Sequence, residues 1–300
     1  MKLLTPLILS LLVATGSVYA EPNYSKIFTG VEPCFIFYDL NNGEIVQSFG
    51  ASQCKKQISP CSTFKIPLSL IGYDSGILKD QDNPKWEATP ETIAELNASV
   101  QSDPAFKPVA ERHAQDQTPK TWMARSVVWY SQMLTQKLGM PKFKNYVAKL
   151  AYGNQDLSGN QGKNDGLTQS WLSSSLKISA EEQQKFLKKL ITHKLPISKS
   201  AIKNTEDILF IEELANGWKL YGKTGSGSVK SADSSASDDL NLGWFVGWLE
   251  KSGQTYIFVI NIQDLQKSTE YGGPRAKRMA KEIFATLDVL KNSSSVDRTL

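Results

Sequence analysis

Pro60-Cys61-Ser62-Thr63-Phe64-Lys65-Ile66-Pro67-Leu68-Ser69-Leu70 carries a single charge, Lys65, and the residues that follow it, Ile66, Pro67, Leu68, Leu70 and Ile71, are almost all apolar. A helix that is apolar nearly all round belongs in a core, so Ser62 to Tyr73 is expected as a buried helix that takes Lys65 inside with it. Residues i and i+3 share a helix face, which lets the Ser62 hydroxyl meet the Lys65 amine. Burial disfavours an ammonium and lowers its pKa. A neutral amine beside a hydroxyl is a general base beside a nucleophile. The competing reading is a lysine that snorkels to solvent. The same S-x-x-K spacing recurs at Ser52 and Lys55, Ser174 and Lys177, and Ser200 and Lys203. Only the pair at 62 and 65 opens a mostly apolar helix.

Working outward, Cys34 to Tyr38, the turn Asn41-Asn42-Gly43 and Ile45 to Phe49 read as a hairpin. From Ser62 to about Lys194 the signals are mostly helical. Thr118-Pro119 supplies a cap and a first-turn proline for one long helix ending near Gly139. Lys142 to Ala151 is helix-like, and Ser179 with Glu182 forms a capping box for a helix through about His193, stopped before Pro196. After residue 208 the pattern switches to strands at Trp218 to Lys223, Leu242 to Leu249 and Tyr256 to Ile262. Ser252-Gly253 turns between the last two. Ser226 to Asp239 reads as a strand-connecting loop, and Pro274 to Leu290 as a final helix. Strands at both ends with helices between predict an α+β fold: one antiparallel sheet flanked by helices, plus an all-helical lobe. The sheet lobe is expected over about 21–61 and 208–300, and the helical lobe over about 62–207.

With 300 residues and 40% hydrophobic content, the chain can bury a substantial core. Lys2, the apolar run from Leu3 to Val13 and the ending Val18-Tyr19-Ala20 match the three parts of a secretory signal peptide, residues 1–20. A membrane anchor needs about 18 or more apolar residues, and Thr5, Pro6 and Ser10 leave too few. The mature protein is therefore expected in the periplasm or secreted, with no stable membrane association. The net charge is +4, or +3 without Lys2, and the lysines are scattered among acids. That pattern is a solvated surface, so no nucleic-acid partner is expected. The odd cysteine of Cys34, Cys54 and Cys61 leaves at least one free thiol. Cys34 with Cys54 is the preferred bridge, since Cys61 adjoins the reactive stretch, but the sequence does not settle the pairing. His113 and His193 are the only histidines, read as surface residues on or near helices, and no Cys/His spacing suggests a metal.

Lys223-Thr224-Gly225 sits at the end of a predicted strand. A cation and a hydroxyl there suit a carboxylate, and the glycine would let a ligand approach the backbone. Together these boxes make the chain resemble a class D serine β-lactamase, an oxacillinase-type enzyme with the penicillin-recognising serine β-lactamase/transpeptidase fold. Ser62-Thr63-Phe64-Lys65 matches that family's S-T-F-K box, Ser126-Val127-Val128 its S-x-V, Tyr152-Gly153-Asn154 its Y-G-N and Lys223-Thr224-Gly225 its K-T-G. Gly166 to Trp171 resembles the loop carrying its tryptophan. The matches fall in the family's order across about residues 30 to 290.

The resemblance implies hydrolysis of β-lactam antibiotics, with Ser62 as nucleophile and Lys65, N-carboxylated by carbon dioxide or bicarbonate, as base for acylation and deacylation. Beyond that carbon dioxide, no cofactor and no metal is expected. Ser126 would relay a proton to the leaving nitrogen, and the N–H groups of Ser62 and Ser226 would form the oxyanion hole. Lys223, Thr224 and Gly225 would bind substrate. Val128 would help keep the site dry, Tyr152 would support it, and Trp171 would donate its indole N–H to the carbamate. Arg275, or Arg278 one turn on, would pair with the substrate carboxylate. Class A relatives use a loop glutamate and S-D-N instead. This chain has no acid between Gly166 and Ala180, and Val128 stands where asparagine would sit. A β-lactam sensor domain, which stalls at the acyl-enzyme, and a cell-wall D,D-peptidase are the other readings of the same serine-lysine chemistry.

Overall fold

The computed structural model describes residues 22–230 and 239–291. The expected signal peptide, residues 1–20, lies outside them. Six strands form one antiparallel sheet: β1 (Val31–Asp39), β2 (Glu44–Phe49), β3 (Phe210–Glu213), β4 (Lys219–Lys230), β5 (Asp239–Lys251) and β6 (Gln254–Asp264), in the order β2-β1-β6-β5-β4-β3. The β1–β6 register, with Phe35 opposite Ile260 and Phe37 opposite Phe258, joins the two ends of the chain as the sequence predicts. Ser252 and Gly253 both take positive φ, the conformation a two-residue hairpin needs.

Alternation along the strands sends side chains to two cores. Ile36, Trp244, Val246, Trp248 and Val259 pack with the helical lobe. Phe35, Phe37, Phe245, Phe258 and Ile260 pack on the opposite face, under the last helix. Both faces of the central strands are therefore buried, which is why they read as continuous apolar runs.

The longer helices are α1 (Lys65–Asp74), α2 (Pro90–Ser102), α3 (Lys107–His113), α4 (Pro119–Arg125), α5 (Val128–Leu138), α6 (Met140–Leu150), α7 (Ala180–Ile191), α8 (Lys199–Leu209) and α9 (Gly272–Thr286). Helix α1 runs through the helical lobe with nine of its residues buried. Its Ser69 donates to Thr205 Oγ1 of α8 at 2.9 Å. Helix α9 approaches β5 closely: a Cβ on Gly243 would stand 2.2 Å from the Gly272 carbonyl oxygen, so only glycine fits there.

Several expectations need correction. The single helix from Pro119 to Gly139 is two, broken where Ser126 takes a left-handed backbone (φ 63°) and Val127 an extended one. Trp122 holds the halves together by donating to Ser131 Oγ at 2.9 Å. Apolar residues on both sides of the break, Met123, Val127 and Val128, conceal it in the sequence. Residues 226–230, expected in a loop, continue β4 in register with β5 as far as Lys230 opposite Asp239; residues 231–238 lie outside the described region. His113 is buried at the end of α3, with its Nε2 2.9 Å from the Arg125 carbonyl oxygen. That carbonyl is an acceptor, so the ring N–H donates. His193 is exposed, 3.2 Å from Glu206. Strand β3 and helix α8, beyond the stop at Pro196, were not anticipated.

Cys34 and Cys54 are bonded, and Cys61 is free and buried. The bridge ties β1 to the segment leading toward Ser62 across a separation of 20 residues. A Cys34→Ala/Cys54→Ala variant is expected to lose about 3 kcal/mol of stability, chiefly through the freer unfolded chain. Urea unfolding of the two proteins measures it. An unchanged midpoint would show that the bridge contributes nothing to stability.

Candidate active site

A short 3-10 turn, Cys61–Phe64, delivers Ser62 directly to the first residue of α1, Lys65. Lys65 Nζ lies 3.4 Å from Ser62 Oγ. Lys65 is 0% exposed and Ser62 9%, so the amine is sealed behind the hydroxyl. Burial pushes the lysine pKa well below its ordinary value, and the charge of Lys223 adds to the effect; Cys61 opposes it weakly. Without a carboxylate in an ion pair with it among the described residues, Lys65 has no reason to stay protonated. The other three S-x-x-K lysines are exposed, and Lys203 pairs with Asp207 at 3.0 Å.

The left-handed break at Ser126 serves the site. It aims the hydroxyl at β4, where Lys223 Nζ donates to Ser126 Oγ at 3.0 Å, to the Thr224 carbonyl at 3.0 Å and to Thr224 Oγ1 at 3.4 Å. Lys223 is 4% exposed. Burial, helped by the charge of Lys277, pushes its pKa down to about 7. Gly225 has a packing reason besides the ligand approach expected of it. A Cβ there would meet the Pro60 carbonyl at 3.0 Å and Thr63 at 3.1 Å, so the glycine lets β4 lie against the Ser62 turn. Ser226 is exposed, and its Oγ accepts from Gly273 N–H at 2.9 Å, tying β4 to the start of α9.

Behind the serine and lysine stands an aromatic wall. Trp171 is wholly buried, stacked on Phe64 at 5.5 Å and edge-on to Phe143, and Tyr152, also wholly buried, packs 5.3 Å from Phe64. Trp171 Nε1 has no hydrogen-bond partner among the described residues. That is a costly state for a buried donor. Val128 is half-buried at the first position of α5, and Val127 is fully buried. Asn154 receives Lys177 N–H and donates to the Ser175 carbonyl, both at 2.9 Å, so it shapes the segment after Trp171.

Sequence reasoning missed three residues that hold the turn. Ser59 Oγ donates to the Trp171 carbonyl at 2.8 Å, and the Ser59 carbonyl accepts from Trp244 Nε1 at 2.9 Å. Gln183 donates to Thr63 Oγ1 at 3.0 Å. Gln183 interrupts the buried stripe of α7 (Ala180, Leu187, Leu190), a signal that could have exposed it. Nothing in the sequence distinguishes Ser59 from other serines.

Arg275 is not presented to Lys223. Its Nη1 lies 2.7 Å from both carboxylate oxygens of Asp264, and its side chain is only 11% exposed. Arg278 is likewise taken up by Glu270. Neither arginine belongs to the group that Ser62, Lys65, Ser126, Lys223 and Thr224 form. The arginine assignment followed a position along the chain, whereas the partner that captures Arg275 comes from the end of β6.

A description of the penicillin binding protein transpeptidase domain matches residues 33–285. Beta-lactamase OXA-1 of Escherichia coli is 41% identical over 277 residues, 92% of each chain. Beta-lactamase OXA-9 of Klebsiella pneumoniae is 40% identical over 257 residues, 86% of this chain and 87% of that one. Among solved structures, OXA-427 class D beta-lactamase shares 43% identity at a TM-score of 0.72, covering 86% of this chain and 98% of its own. Similarity of this extent, spanning both lobes and every element that carries the serine, the lysines and the tryptophan, means that the chain belongs to the class D β-lactamases of the penicillin-binding transpeptidase family.

Proposed function

We propose that the protein hydrolyses the β-lactam ring of penicillin-type antibiotics through an acyl-enzyme on Ser62, and so confers resistance to them. The observation that carries this reading is the Ser62–Lys65 pair, 3.4 Å apart with the amine wholly buried. Ser62 Oγ attacks the lactam carbonyl carbon, and its proton passes to the base at Lys65. Backbone N–H groups of Ser62 and Ser226 receive the charge that develops on oxygen. As the ring C–N bond breaks, Ser126, held by Lys223, passes a proton to the departing nitrogen and takes in its place the one the base received from Ser62, which leaves the base free again. Water then attacks the Ser62 ester and gives up a proton to the base, which returns it to Ser62 Oγ as the ester bond breaks.

Carbon dioxide fits Lys65 on two counts. Only an unprotonated amine adds to it, and burial keeps this one unprotonated. Trp171 Nε1, donor-only and without a partner among the described residues, supplies a buried hydrogen bond for an anionic group. When bound, the group would supply an anionic carboxylate oxygen as the base. Val128, Phe64 and Trp171 keep bulk water from it. Lys223 and Thr224 meet the substrate carboxylate, with Gly225 setting β4 at the right height.

The same reading places the protein in the periplasm or secreted after cleavage at Ala20. The Cys34–Cys54 bridge supports it, since such bonds persist in oxidising compartments. No helix among the described residues is long and apolar enough to cross a membrane.

The deciding experiment is steady-state hydrolysis of benzylpenicillin and oxacillin with mass spectrometry of the exposed protein. Rapid turnover supports the proposal; a long-lived adduct on Ser62 without turnover means a sensor or a peptidase. Lys65→Ala is expected to lower kcat/KM by about 10³ or more, the loss of a general base. Unchanged hydrolysis would overturn the mechanism. Trp171→Ala is expected to slow deacylation, with partial rescue by added bicarbonate; normal turnover insensitive to bicarbonate would remove Trp171 from its role.

Stability should also depend on pH. Lys223 titrates near 7 when folded and at about 10.4 when unfolded, so between those values the unfolded chain binds the extra proton. Stability therefore rises with pH through that window, and Lys65 acts in the same direction. Melting temperatures in bicarbonate-free buffer should climb from about pH 7 to about pH 9.5, and less steeply in Lys223→Met. Equal slopes in the two proteins would show that Lys223 keeps its proton in the folded state.

A further inference from the structure

We infer that Lys277 of α9 is the second cation for the substrate carboxylate, completing the subsite of Lys223 and Thr224 in the place that family resemblance gives to Arg275. The inference rests on the proposed β-lactam hydrolysis and assigns a specificity residue within it.

Arg275 is committed elsewhere. Its partner Asp264 has a side chain only 2% exposed, and withdrawing the guanidinium would leave a buried carboxylate unpaired. Arg278 is held by Glu270 on both carboxylate oxygens. Helix geometry then selects Lys277. Gly273 faces β4: its N–H donates to Ser226 Oγ, and a Cβ on it would stand 2.9 Å from the Gly225 carbonyl oxygen. Four residues on, Lys277 lies on the same face of the helix. It lines a cleft of about 220 Å³ together with Met123, Phe210, Gly222, Lys223 and Thr224. Arg275, two residues from Gly273, points away from that face.

Two lysines thus line one cleft, and Lys223 reaches from it to the Ser126 hydroxyl at 3.0 Å. Their mutual repulsion contributes to the loose hold of Lys223 on its proton. An anion between them removes the repulsion and restores that proton. Lys277 is also free to serve. Its contact with Glu212 Oε1 is 3.5 Å long, and the other oxygen of Glu212 is held by Lys281 at 2.9 Å. Glu212 therefore keeps a cation when Lys277 turns to substrate, and a half-exposed pair of this kind costs little to break.

The test compares wild type, Lys277→Met, Lys277→Gln, Lys277→Arg and Arg275→Met, using benzylpenicillin and its methyl ester, with melting temperatures as a check on folding. Loss of one charge-assisted contact should raise KM for benzylpenicillin about tenfold in Lys277→Met and Lys277→Gln, with kcat within about twofold of wild type. The ester should show no such rise, and Lys277→Arg should return KM toward the wild-type value. Arg275→Met should lower the melting temperature. Unmoved KM in both neutral Lys277 variants overturns the inference, as does an equal rise with the ester or a KM effect confined to Arg275→Met. Absence of hydrolysis by the wild-type protein overturns the proposed function itself, and the inference with it.

Discussion

Lys65 is a cation-forming side chain enclosed without a counter-charge among the described residues, and the surrounding structure is arranged around keeping it so. An enclosed ammonium is far less stable than an enclosed amine. The fold removes the proton rather than supplying an acid. Nine residues of α1 go into the core, and Phe64, Phe143, Tyr152 and Trp171 close the lobe behind the amine. Ser62, 9% exposed, stands between the amine and solvent. A reactive pair made this way needs no histidine and no acid in the helix that carries it.

Holding Ser62 in that place requires its turn to sit rigidly between the lobes. Ser59 provides the junction: its hydroxyl reaches the Trp171 carbonyl in the helical lobe and its carbonyl takes the Trp244 N–H from β5. Thr63 is pinned from the other side by Gln183. Gly225 lets β4 close over the turn, and Gly243 lets α9 close over β5. The sheet thus brings Lys223 within reach of Ser126 without any covalent link between the lobes other than the chain itself. Tyr271, before α9, adds a hydrogen bond to Asp103, before Phe106, at 3.0 Å.

Lys65 and Lys223 make a basic site whose charge is conditional. Burial lowers the pKa of Lys65 well below its ordinary value, and Lys223 holds a proton weakly because it is enclosed near Lys277. An anionic substrate alters the second without touching the first. In the proposed mechanism Lys65 is the seat of the base and Lys223 the proton-holding cation, so the two lysines next to Ser126 and Ser62 have separate tasks.

The sequence alone determined the α+β arrangement, since apolar runs near both ends and helical caps between them leave few other ways to bury the strands. It also determined the S-T-F-K, S-x-V and K-T-G positions, because the chemistry there depends on residue type at short spacing. The hairpin turns, the cap at Thr118 and the capping box at Ser179 were legible for the same reason: each is a local contest between side chain and backbone. What tertiary structure decided was every pairing across long separations. The break at Ser126, the burial of His113 and the junction at Ser59 depend on what packs against them. So does the fate of Arg275, which periodicity places on the last helix but which only the neighbouring Asp264, eleven residues earlier at the end of β6, could claim. Local propensity fixes which faces a helix offers; the partner that meets a face is set by packing of the whole chain.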